Sequence, residues 1–272
     1  MPITSARVET SHATIAVSMT DGPGLPVLMI HGNSASGIVF RQQMEGDIGR
    51  QWRLIVPDLP GHGVSSDAID PGRTYSMEGY AQAMVELLER LGTAQAAVFG
   101  WSLGGHVGLE MIKRFPGLRG LMITGTPPLT RETLGEAFLA GEAAGLSGKE
   151  HFSPEDVALY ARATCGEPFK EAFLAMVART DGRARRMMVE AFLAGTGDDQ
   201  SRLAREAPVP LAVVNGADEP FVNLDFVARA AYGNLWDGRT HVIPGAGHAP
   251  FRGRSAEFDG LLARFLRGVG PR

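Results

Sequence analysis

The segment Gly100-Trp101-Ser102-Leu103-Gly104 sets a hydroxyl between two glycines. The apolar run Ala96-Ala97-Val98-Phe99 precedes it and a helical pattern over 105–113 follows it. Strand, G-x-S-x-G and helix in that order put the serine on a sharp turn, its oxygen exposed above a sheet. A side chain at 100 or 104 would crowd the neighbouring backbone, and glycine relieves that crowding. The following helix aims its N-terminal N–H groups and positive dipole end at the place where an oxyanion would form. Ser102 is therefore the candidate nucleophile.

A serine hydroxyl needs a base, and the base needs an orienting acid. Seven histidines compete for the base role. His248, in Gly245-Ala246-Gly247-His248-Ala249-Pro250, follows the last strand run and precedes the last helical pattern, which puts it at the same end of the sheet as Ser102. His31 belongs to a His-Gly turn and His62 to Asp58-Leu59-Pro60-Gly61-His62-Gly63, where both hold loops together. His106 is one turn past Ser102 and packs; His12, His151 and His241 lack a supporting pattern. The acid falls in Asn215-Gly216-Ala217-Asp218-Glu219-Pro220. Its two carboxylates are adjacent and point in different directions along an extended loop, so one of Asp218 and Glu219 reaches His248.

The elements that must position these groups follow from periodicity. Short apolar runs at 14–18, 27–30, 53–56, 96–99, 118–123, 211–214 and 241–243 read as strands. Helical patterns alternate with them, including one from Ser76 as cap to about Leu91 with Gly92 as its stop, and a closing one over 255–266. This alternation predicts an α/β protein with a mostly parallel sheet and helices on both faces. The rhythm breaks over 129–208, which has no strand candidate and reads as helical over 132–146, 154–164, 169–180 and 183–193. Pro127-Pro128 and Pro208-Val209-Pro210 bracket it. The expected organisation is a core of 1–128 and 209–272 with an inserted helical cap of 129–208.

Bulk properties exclude other classes. With 44% hydrophobic and 21% charged residues and a net charge of −4, the chain offers no nucleic-acid surface and no patch for an anionic membrane. Its single cysteine, Cys165, allows no intrachain disulfide and fits a reducing compartment. The first residues lack the apolar stretch of a signal peptide, and no apolar run approaches a membrane span. The expectation is a cytoplasmic monomer that acts on a small molecule.

These blocks together resemble the α/β-hydrolase superfamily over nearly the whole chain: His31-Gly32-Asn33-Ser34, Asp58 to Ser65, the elbow at Ser102, Gly216 to Pro220, and Gly247-His248, in family order. The resemblance implies an acid three residues after a glycine and just before proline, which selects Glu219 over Asp218. It also implies an oxyanion hole made by the backbone N–H groups of Leu103 and Asn33. Serine at the elbow implies an acyl-enzyme and hence a carbonyl substrate. The loop 31–37, the Gly-Trp-Ser-Leu-Gly-Gly-His elbow, the Glu-Pro acid loop and a short aromatic-rich cap are most similar to the N-acyl-homoserine lactonases of this fold. That similarity implies lactone opening, with Asn33, Trp101 and Tyr160 as substrate-binding candidates. Other readings are a carboxylesterase, a C–C hydrolase, or a small-molecule receptor built on the same pocket.

No cofactor is expected. The metal-dependent lactonases carry H-x-H-x-D-H, and no H-x-H occurs in this sequence, so no metal is expected either. Dialysis against a chelator is expected to leave lactone or ester hydrolysis unchanged, and a serine-directed organophosphate to abolish it. Loss of activity on chelation, restored by zinc, would contradict the reading.

Overall fold

The computed structural model describes residues 2–270. Eight strands form one sheet: β1 Thr4–Glu9, β2 Thr14–Met19, β3 Gly24–Ile30, β4 Trp52–Pro57, β5 Ala96–Trp101, β6 Leu118–Thr124, β7 Leu211–Gly216 and β8 His241–Ile243. The spatial order is β1-β2-β4-β3-β5-β6-β7-β8. β1 pairs antiparallel with β2, and β2 antiparallel with β4; all later pairings are parallel. Each of the seven apolar runs forms a strand. β1 is an addition, because its sequence TSARVE is polar and half-exposed at the sheet edge and carries no apolar run.

Side-chain alternation along the strands builds two cores. Leu28, Ile30 and Val98 face one side, where they join Met84, Leu87 and Leu88 of α1 (Met77–Arg90) and Val107 of α2 (Leu103–Arg114). Val27, Met29, Ala97 and Phe99 face the other, with Phe40 and the closing helix. Ser76 caps α1 by accepting from the Gly79 N–H at 2.9 Å.

Between β6 and β7 the chain is helical. The pattern over 132–146 forms two short turns, Leu134–Ala137 and Glu142–Gly145, not one helix. Phe138 leaves the helix to bridge Val222, and the Leu139 N–H donates to the Phe221 carbonyl at 2.7 Å. Three helices follow: α3 Pro154–Cys165, α4 Ala172–Arg179 and α5 Gly182–Leu193. Ser153 and Asp156 form a capping box on α3, and Asp181 caps α5. A further helix, α6 Gln200–Arg205, is capped by Asp199 and is too short for its periodicity to register in the sequence. The closing helix is α7, Ser255–Val269.

A tight backbone approach lies where α2 leaves the sheet beside β5 and β3. A Cβ on Gly100 would sit 2.2 Å from the Gly104 carbonyl oxygen, and one on Gly104 would sit 2.1 Å from that of Ile30. Both obstacles are backbone, so neither yields cheaply. Gly104→Ala is expected to destabilise the protein by about 3 kcal/mol, which lowers Tm by roughly 6–12 °C in thermal denaturation. A wild-type Tm would show that the close approach is not rigid.

Candidate active site

Ser102 stands at the junction of β5 and α2 with φ 55° and ψ −120°, a left-handed conformation unusual for a residue with a side chain. The strain is held from both sides: the Ser102 N–H donates to the Thr124 carbonyl at 2.8 Å, and Thr126 Oγ1 donates to the Ser102 carbonyl at 2.9 Å. Its hydroxyl makes no capping bond to α2. Leu103 is the first residue of α2, so its N–H has no intrahelical acceptor. The turn after β3 packs directly on this elbow. A Cβ on Gly32 would lie 3.1 Å from Ser102 Cβ and 3.2 Å from the Trp101 ring. His31 fixes that turn: its Nδ1 donates to the Gly32 carbonyl at 2.8 Å and its Nε2 accepts from the Leu59 N–H at 2.9 Å. The backbone N–H of Asn33, next along, makes no hydrogen bond among the described residues.

His248 follows β8 and meets Glu219, not Asp218. Its Nδ1 lies 2.8 Å from both carboxylate oxygens of Glu219, whose side chain is 1% exposed, whereas Asp218 is exposed. An ionised carboxylate only accepts, so Nδ1 carries the hydrogen and Nε2 keeps its lone pair. Glu219 is itself held by the Phe221 N–H at 2.9 Å, and the Phe221 ring packs against His248 at 4.7 Å between centroids. The loops that carry Glu219 and His248 are tied by the Asp218 N–H donating to the Ala246 carbonyl at 2.8 Å. Gly125, at φ 63°, leaves room for the imidazole: a Cβ there would lie 2.6 Å from His248 Cε1.

Ser102 and His248 open on one cavity of 410 Å³, walled in part by the helical segment between β6 and β7. Its polar lining includes Asn33, Ser102, His106, Tyr160 and His248, while Leu129, Leu134, Phe138, Met188 and Phe192 make much of the remaining wall. The Asn33 side chain reaches into that segment and donates to the Ser147 carbonyl at 2.9 Å. Tyr160, on α3, is buried beside Ser147 and Asn33, and burial pushes its phenol above the ordinary tyrosine range. It therefore remains a neutral hydroxyl at the cavity wall.

Trp101 departs from the expectation that it binds substrate. It is 1% exposed and lies outside the cavity lining. Successive residues of a strand face opposite sides of the sheet, and Trp101 packs with Phe251 on the side away from α2. Its Nε1 donates to the His248 carbonyl at 2.8 Å, so it braces His248 from behind.

The sequence reading missed Arg185 of α5. This buried guanidinium donates to the Lys149 carbonyl at 2.8 Å, the Glu150 carbonyl at 2.9 Å and Ser34 Oγ at 3.2 Å, and lies 3.9 Å from the Phe152 ring centre. It joins the helical segment to the loop that carries Asn33. An arginine in an amphipathic helix carries no signal in the sequence that its head group turns inward. Among the described residues no three His, Cys, Asp or Glu side chains gather as a metal site, and no helix is long and apolar enough to cross a membrane.

The strand order, the strained serine and the His248–Glu219 pair define a class. The chain belongs to the alpha/beta hydrolase family, whose profile matches residues 27–260. Among solved structures it is similar to the N-acyl homoserine lactonase AidH. In complex with N-butanoyl homoserine, that protein is 61% identical with a TM-score of 0.97, over 98% of this chain and 97% of that one. The AidH S102G mutant in complex with N-hexanoyl homoserine lactone is likewise 61% identical, with a TM-score of 0.97 over 98% of each chain. A pimeloyl-[acyl-carrier protein] methyl ester esterase from Stenotrophomonas maltophilia is 29% identical, over 92% of this chain and 96% of its own length. A shorter match, 38% identical over 91 residues, covers 34% of this chain and 30% of the magnesium-chelatase 30 kDa subunit of Rhodobacter capsulatus.

The geometry at His248 sets a direct comparison. Glu219→Gln is expected to lower kcat by about 10⁴-fold, as loss of the orienting carboxylate does in triad hydrolases, while Asp218→Asn stays near wild type. Steady-state hydrolysis of one substrate by both variants checks this; a crippled Asp218→Asn with an active Glu219→Gln would reverse the assignment.

Proposed function

We propose that this chain is a serine hydrolase that opens the lactone ring of N-acyl-homoserine lactones. The observation that carries the reading is the 61% identity to AidH across 98% of the chain, in an AidH complex whose ligand, N-butanoyl homoserine, is a ring-opened product. The AidH variant without its serine holds the intact lactone instead.

Each residue takes a definite part. His248 Nε2 removes the proton of Ser102 as the oxygen attacks the lactone carbonyl. The Glu219 carboxylate fixes the imidazole tautomer and stabilises the imidazolium that forms. The Leu103 and Asn33 N–H groups receive the oxyanion, where preorganised donors lower the barrier most. Asn33 has its side chain committed to Ser147, so its contribution is the backbone donor on a braced loop. His248 then protonates the leaving alkoxide, which stays tethered to the acyl-enzyme through the homoserine carbon chain. Water activated by His248 releases the N-acyl-homoserine. Because the tethered hydroxyl competes with water to reclose the ring, turnover depends on water reaching the ester. Tyr160 lends a neutral hydroxyl to the polar groups of the lactone and amide, and the apolar wall takes the acyl chain. Such a reaction removes a diffusible signal, so the chain acts in quorum quenching, as a cytoplasmic monomer.

The nearest competing chemistry is amide cleavage, which begins with the same attack on a carbonyl. Esters are the more electrophilic, which favours the ring. With an N-acyl-homoserine lactone as substrate, mass spectrometry is expected to find one product heavier by one water, which mild acid converts back to the lactone. A free fatty acid with homoserine lactone would make the protein an acylase. Neither product, alongside rapid turnover of simple esters, would make it a carboxylesterase.

A further inference from the structure

The mechanism leaves the imidazole of His106 unused. It stands on α2 four residues after Ser102, is 4% exposed and lines the same cavity. Gln200, the first residue of α6, fixes its tautomer. Gln200 Nε2 approaches the His106 carbonyl and Met77 Sδ, each at 3.4 Å, which turns Oε1 toward the ring. His106 Nδ1 lies 2.6 Å from that oxygen and so carries the hydrogen, leaving the lone pair on Nε2. Burial draws the pKa down to about 4, and the ring is neutral near pH 7.

His106 Nε2 makes no hydrogen bond among the described residues. The Nε2 atom of His62 is also unpartnered, but it is sealed inside the protein, whereas that of His106 opens on the cavity. A plain alkyl chain laid over a bare acceptor would strip its water and return nothing. A chain that carries a hydroxyl there would satisfy it. A chain that carries a carbonyl would set lone pair against lone pair.

The position on the acyl chain is assigned by laying that chain along α2, past Ser102 to His106, through the cavity both residues line. Four residues at about 1.5 Å each put His106 some 6 Å beyond Ser102 along α2. The third acyl carbon is five bonds from the lactone carbonyl carbon, which is also about 6 Å when extended. We propose that His106 Nε2 accepts a hydrogen bond from a hydroxyl on the third acyl carbon, so that the enzyme prefers 3-hydroxyacyl over 3-oxoacyl homoserine lactones. The inference rests on the lactonase reading above.

The test measures kcat/KM for N-octanoyl, racemic N-(3-hydroxyoctanoyl) and N-(3-oxooctanoyl) homoserine lactones. The wild type is expected to favour the 3-hydroxy chain over the 3-oxo chain by about tenfold, the worth of one good neutral hydrogen bond. His106→Leu is expected to bring the ratio to about one. Gln200→Met removes the acceptor from Nδ1 and frees Nε2 to carry the hydrogen, so its ratio is expected to move toward the 3-oxo chain. A purely structural role for His106 predicts no such inversion. Equal wild-type values for the two substituted chains, or a ratio that neither variant changes, would overturn the proposal and leave the lactonase reading standing. Failure to open any of the three lactones would overturn both. Where His106→Leu does not fold, the ratio in Gln200→Met decides.

Discussion

The backbone at Ser102 is the constraint on which the rest depends. A side-chain-bearing residue at φ 55° persists only where its surroundings over-determine it. Here Thr124 and Thr126 bind the serine's own backbone, while α2 approaches β5 at Gly100 and the end of β3 at Gly104 so closely that neither glycine leaves space for a Cβ. That geometry lifts the hydroxyl off the sheet and sets the first free N–H of α2 beside it. The chemistry depends on a conformation that folding imposes before any substrate arrives.

Two further loops must then reach the same point, and each is braced by groups with no chemistry of their own. Trp101 and Phe221 hold His248 from behind and from the side, and the Phe221 N–H holds Glu219. His31 pins the turn that leads to Asn33. The helical segment between β6 and β7 is joined to this arrangement through Asn33–Ser147 and through Arg185, whose guanidinium is satisfied by carbonyls and a hydroxyl without a carboxylate. A buried cation so placed costs desolvation, which these three hydrogen bonds offset. The cavity's dimensions are thereby set by the Asn33 loop and the helical segment together.

The residues differ in how legibly the sequence announced them. β3 and β5 were plain because a strand buried on both faces is a continuous apolar run, whereas β1 is a polar edge strand that looks like loop. Glu219 could be separated from Asp218 only by its register before Pro220; the side-chain directions that decide contact with His248 exist only in the folded loop. The pattern over 132–146 suggested one helix, since periodicity cannot foresee that Phe138 pairs with Val222 far along the chain. Trp101 lay in the motif, but which face of the sheet it occupies depends on strand register. His106 read as packing because the partner that fixes its tautomer, Gln200, is distant in sequence.

The central claim is that Ser102 becomes covalently acylated during turnover. Acid quench of the enzyme within milliseconds of mixing with an N-acyl-homoserine lactone, followed by peptide mass mapping, tests it most directly. The leaving hydroxyl stays attached, so the account predicts a Ser102 peptide heavier by the whole mass of the lactone, absent in Ser102→Ala. Wild-type turnover with the adduct on another side chain, or undiminished hydrolysis by Ser102→Ala, would contradict it.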